Sequence, residues 1–119
     1  MNEKKNPILE KSFQFSLKII ELFKFLKENK EFVISKQLLR CGTSIGANVN
    51  ESIAAQTKKD FITKMSIASK EARETKYWLR LLQESQFVKS DFKDYLIDIE
   101  EIIRILTSIV KTSQNNLKK

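Results

Sequence analysis

Between positions 61 and 82, the residues Phe61, Met65, Ala68, Ala72, Thr75, Leu79 and Leu82 recur alternately four and three apart. A strand lines one face with every second residue, so this spacing gathers on one face only in a helix. The run is a heptad seam over three repeats with small residues at its centre, and such a seam must be covered by other helices. The rest of the chain offers no competing architecture. Two glycines and one proline among 119 residues leave too little turn chemistry for a sheet, while 41% hydrophobic residues suffice for a core without disulfide or metal. The expectation is all-α, in a single domain.

Three more helices fit around the seam. The first is expected from about Pro7, suited to a first helical turn, to Asn29. Its apolar residues form two adjoining stripes, Leu9, Phe13, Leu17, Ile20 with Phe23, and Phe15, Ile19, Leu22, Leu26, read together as bundle core. The second is expected over about Ser35 to Ala55, with Ser35 as N-cap, and carries Leu38, Gly42, Ile45, Val49 and Ile53 at helical period. Thr57 with Asp60 resembles a capping box that opens the third helix, Lys58 to Ser85, although one continuous kinked helix is an alternative. The fourth is expected from a Ser90 cap to about Thr112, with a polar frayed tail. Short connections make neighbours antiparallel, hence an up-down four-helix bundle.

The chemistry is bounded by exclusion. Without a histidine the chain lacks the commonest general base and metal ligand, and two glycines cannot build a phosphate-cradling loop. Glu71 and Glu74 read as a solvated surface paired with the neighbouring Lys70, Arg73 and Lys76. Cys41 reads as a small buried residue, and a lone cysteine suits a reducing compartment, the cytoplasm. No signal-peptide pattern and no spanning apolar run is visible, so no membrane partner is expected. Neither a catalytic residue, a metal nor a cofactor is expected; the protein reads as a non-enzyme.

Its net charge of +7 favours an anionic partner. Lys59, Lys70, Arg73, Lys76 and Arg80 lie largely off the seam of the third helix with Tyr77 and Trp78 among them, a pattern suited to a nucleic-acid backbone with an unstacked base. The bland alternative is a solvated helix face. In the second helix, Gly42 and Gly46 are four apart, which lets another backbone approach closely. Arg40, Ser44, Asn48 and Glu51 form a polar stripe beside Ile45 and Val49, either plain solvent exposure or a network fixing register between helices or subunits.

At these residues the chain also resembles a known family. The run RCGTSIGANVNES is similar to the signature of the four-helix-bundle proteins first known as 23S rRNA intervening-sequence proteins, a Ser-Ile-x-x-Asn-Ile-x-Glu-Gly pattern followed by a phenylalanine-bearing helix. Ser44, Ile45, Asn48 and Glu51 match, Val49 replaces Ile, and Ser52 stands where Gly is common. The resemblance implies a homopentamer, in which Gly42, Ser44, Ile45, Gly46, Asn48 and Glu51 would serve packing and assembly. Its relatives include the accessory variability determinant of diversity-generating retroelements, which implies nucleic acid and a reverse transcriptase as partners. Two functions remain open: a non-enzymatic oligomer binding RNA or DNA, and a structural protein–protein interaction module whose charge serves solubility.

Overall fold

The computed structural model describes residues 6–118, which form four α-helices: α1 (Pro7–Glu28), α2 (Ile34–Ser52), α3 (Lys58–Ser85) and α4 (Lys93–Leu117). No strand occurs among the described residues. Each helix packs on the next in sequence, and α1 also touches α4. This packing fits a four-helix bundle. The result is a rod of 50 × 22 × 21 Å, so most of its surface is helix flank.

The heptad seam lies where its spacing requires. Met65, Ala68, Ala72, Thr75, Leu79 and Leu82 are buried, with Phe61 half-buried at the start. They meet Phe15, Ile19, Leu22 and Leu26 of α1, Leu38, Ile45 and Val49 of α2, and Ile99, Ile102 and Leu106 of α4. One α1 stripe joins them whole, and of the other Leu9 packs against the core. Phe13 is 57% exposed, Leu17 45% and Ile20 37%, which corrects the reading of both stripes as core. The neighbouring helices α2 and α4 cover the Phe15–Leu26 side, whereas on the other side the middle of the stripe, Phe13 to Ile20, is left partly open beside α2.

The helix ends show why some boundaries move. Thr57 is extended and its hydroxyl accepts from the Asp60 amide at 3.0 Å, so the chain breaks between α2 and α3 rather than continuing kinked. α2 stops at Ser52, three residues before the expected end. At its start the cap is not Ser35, which lies buried inside the first turn. The Glu31 carboxylate, itself 5% exposed, instead accepts from the amides of Val33, Ile34 and Ser35 at 3.3, 3.0 and 2.6 Å. A carboxylate there satisfies the orphan donors and favours the positive end of the helix dipole. Glu31→Ala is expected to cost about 1–2 kcal/mol, a loss in the range of a removed cap, read as a lower urea midpoint with unchanged slope. An unaltered midpoint would show that the carboxylate is dispensable.

Ser90 likewise does not cap α4. The helix begins at Lys93, because Gln83 Oε1 accepts from the Phe92 amide at 2.6 Å and Asp91 from the Lys93 amide at 3.0 Å, which fixes the preceding segment as a loop under buried Phe92. The expected frayed tail is helical to Leu117. No helix among the described residues is long and apolar enough to cross a membrane.

Candidate nucleic-acid interface

The basic residues of α3 do not act alike. Lys59, Lys70, Arg73 and Arg80 are exposed along one flank, and Tyr77 beside them is 56% exposed. Over 21 residues that flank is about 32 Å long at 1.5 Å rise per residue. Among the described residues, neither Lys59 nor Lys70 has a carboxylate partner within ion-pair distance. Arg80 pairs with Glu84 one turn on, at 3.0 Å, and both are well exposed. Lys76 turns toward α4, where it pairs with Glu100 and holds that carboxyl below the usual carboxylate range. Arg73 donates to the Thr107 hydroxyl of α4 at 3.1 Å. Lys111 of α4 shares a groove with Arg73, a neighbour that depends on the α3–α4 register and has no signal in the sequence. Trp78 does not join the flank; it is half-buried, and its indole donates to Glu74 at 3.0 Å.

The same Glu74 is also reached from the polar stripe of α2. Arg40 crosses to α3 and pairs with Glu74 and, at 3.4 Å, with Glu71. Glu71 and Glu74 therefore answer a cation from another helix, not the lysines and arginine beside them. At the far end, Glu51 pairs with Lys64 at 3.3 Å. Between these bridges Ser44 and Asn48 donate to carbonyls one turn back, Arg40 O at 2.7 Å and Ser44 O at 2.8 Å. Within the protomer the stripe thus ties α2 to α3 at its ends only.

Cys41 is fully buried, with the Thr75 hydroxyl 3.2 Å from its Sγ. Burial raises its thiol pKa, so thiolate is scarce and inaccessible. Native protein at pH 8 is expected to resist thiol alkylation that goes to completion in denaturant. Rapid native labelling would place the thiol elsewhere. Among the described residues, no three His, Cys, Asp or Glu side chains stand together as a metal site.

The glycines mark the α1–α2 crossing. A Cβ on Gly42 would stand 2.9 Å from Ile19 Cγ1, and one on Gly46 3.1 Å from Ser16 Oγ and 3.2 Å from the Ser12 carbonyl oxygen. Ile45 is buried beside them. Outside this crossing runs a groove of about 570 Å³, lined by Leu9, Phe13, Leu17 and Ile20 of α1 and by Thr43, Gly46 and Ala47 of α2. An apolar groove of this kind on a small protein is a place where another surface can dock.

With this geometry in view, comparison with known proteins places the chain. The model of the 23S rRNA-intervening sequence protein family matches residues 4–108. The chain is also similar, at 48% identity and a TM-score of 0.83, to a crystal structure described as a protein with unknown function from the S23 ribosomal protein family of Bacteroides thetaiotaomicron VPI-5482. That likeness covers 87% of this chain and 98% of the other. Comparison with curated proteins gives no match. The helical layout, the α2 signature and the family match over residues 4–108 agree, and the chain belongs to the 23S rRNA-intervening sequence protein family.

Proposed function

We propose that this protein is a non-enzymatic oligomer, a homopentamer, that binds RNA or DNA in the cytoplasm. The observation that carries the reading is the exposed flank of α3, where Lys59, Lys70, Arg73 and Arg80 share one side of the helix with an exposed Tyr77. Cations spaced along a straight flank suit successive phosphates, and an exposed aromatic ring can stack an unpaired base. Lys76 is withdrawn from the proposed contact set by its pairing with Glu100. The partly open Phe13–Leu17–Ile20 stripe supports self-assembly, and assembly would repeat the basic flank on one particle, raising avidity. A reverse transcriptase is the protein partner that the resemblance to retroelement accessory proteins suggests.

A second reading has its own observation. Lys76 and Arg80 already have carboxylate partners within the protomer, as a face whose charge serves only solubility would. The two readings part on the double substitution Lys59→Glu with Lys70→Glu. The nucleic-acid reading expects RNA affinity to fall by roughly tenfold or more, with a shallower salt dependence and unchanged particle mass. Unaltered affinity would remove this flank from the interface and favour the protein-interaction module.

A further inference from the structure

Surface grooves of this protein hold several lysines and arginines, and most share their groove with an acid. Lys11 and Lys18 lie with Asp98 and Glu101, Lys93 and Arg104 with Glu100, and Arg80 with Glu84. The groove between α3 and α4 differs. It is about 240 Å³, and Arg73 and Lys111 line it with Ser66, Ser69, Thr107 and Gln114 and no carboxylate. Glu100 does not line it and is drawn to Lys76, whose influence on that carboxyl exceeds that of Arg73.

The hydroxyls of this protein divide into those spent on the backbone and those left to donate elsewhere. Ser12, Ser16, Thr43, Ser44, Ser52, Thr63 and Thr75 each donate to a carbonyl of the preceding turn. Among the described residues, Ser66, Ser69 and Thr107 donate to nothing, and Thr107 accepts from Arg73 at 3.1 Å, which leaves its own O–H to give. The bond to Thr107 also holds the guanidinium over the groove. Two cations, three unspent hydroxyl donors and no acid make a set that suits a tetrahedral oxyanion.

We propose that the α3–α4 groove is a phosphate-binding site, in which Arg73 supplies a guanidinium fork, Lys111 a point charge, and Ser66, Ser69 and Thr107 hydroxyl donors. Lys111 extends the interface from α3 onto α4, so a bound strand would cross the helix pair instead of following α3 alone. The inference rests on the nucleic-acid reading only for the source of the phosphate, a backbone phosphodiester; the alternative source is free phosphate.

Phosphorus NMR of inorganic phosphate added to the full-length protein, at ionic strength held constant with chloride, tests the site. Line broadening should saturate with protein concentration, and Arg73→Gln and Lys111→Gln should each weaken the apparent Kd by roughly tenfold, the size of one charge-assisted hydrogen bond. Lys36→Gln, an exposed lysine of α2 outside the proposed contacts, should leave it unchanged. Both side chains are exposed, and matching circular dichroism melts will confirm that the variants fold. Broadening that does not saturate, or that survives in both variants, overturns the proposal even if RNA binds elsewhere. A single-stranded oligonucleotide then identifies the source. Parallel loss of oligonucleotide affinity in the two variants means a backbone phosphate, whereas unchanged affinity with lost phosphate binding means free phosphate as the occupant, and the site stands in either case. Saturable phosphate binding by a wild-type protein that ignores the oligonucleotide would defeat the nucleic-acid reading and leave the groove.

Discussion

Gly42→Leu is expected to lower the melting temperature by roughly 10 °C or more, equivalent to about 3 kcal/mol in a chain of this size. Two effects oppose each other at this position. Replacing glycine inside a helix returns up to about 1 kcal/mol of propensity. Against it, the first added carbon already stands 2.9 Å from Ile19 Cγ1 and 3.0 Å from its Cγ2, and Ile19 is fully buried. Those atoms sit near the branch of a stiff side chain and cannot swing aside. Overpacking alone costs about 1–3 kcal/mol, and three further carbons must displace α1 from α2, so the steric effect wins. Gly42→Ala is the milder case, with the two effects nearly balanced. The contact can be isolated in a double-mutant cycle with Ile19→Ala, which vacates the space. Alone, Ile19→Ala should cost about 2–5 kcal/mol, and Gly42→Leu in that background should cost far less than in the wild type. Strict additivity of the two would mean that Ile19 is not what Gly42 makes room for.

Charge placed on the partly open side of α1 is expected to dissociate the proposed oligomer. Phe13, Leu17 and Ile20 stand at i, i+4 and i+7 on one stripe, which borders the groove over Gly46. Phe13→Glu with Leu17→Glu would bury two carboxylates without partners at any interface formed there, a cost of several kcal/mol per contact. Phe13 is more than half exposed and Leu17 nearly half, so the protomer's helicity and melt should change little at low concentration. The expected result by sedimentation is a wild-type particle of several subunits and a double variant near the protomer mass of 13.9 kDa. A variant that keeps the wild-type mass would put the interface on another face, and a wild type already at 13.9 kDa at micromolar concentration would end the assembly proposal.

What the sequence made legible follows the range over which each signal acts. The α3 seam and the Thr57–Asp60 cap are local patterns, and both could be read residue by residue. Other ends were hidden because unusual residues perform the usual tasks. Lys30 and Gln86 occupy left-handed backbone, at φ 64° and 51°, where glycine would have flagged a helix end. Past Lys30 the chain still closes the helix, with the Glu31 amide donating to the Leu26 carbonyl at 2.8 Å. Glu31 then caps the following helix from outside it, so no Ser, Thr, Asp or Asn at the cap announced its start.

Partners across helices were the least legible. Periodicity showed that α1 has two apolar stripes but not that the middle of one, Phe13 to Ile20, is only partly covered within the protomer. The acids Glu71 and Glu74 have cations within a turn on their own helix, yet Arg40 of α2 takes them, and Lys76 goes to Glu100 of α4. Register between helices decides these pairs, and it is set by close packing at places such as Gly42 and Ala72, not by spacing along one helix. For the same reason nothing in the spacing along α4 marks Lys111 as a neighbour of Arg73.

The central claim, that the basic flank binds nucleic acid, is tested most directly by the affinity of the wild-type protein for a structured RNA at two salt concentrations. Four phosphate contacts from Lys59, Lys70, Arg73 and Arg80 predict clear binding at 50 mM salt and a loss on the order of a hundredfold at 200 mM, from the release of about one counterion per contact. No binding at 50 mM salt would contradict the claim.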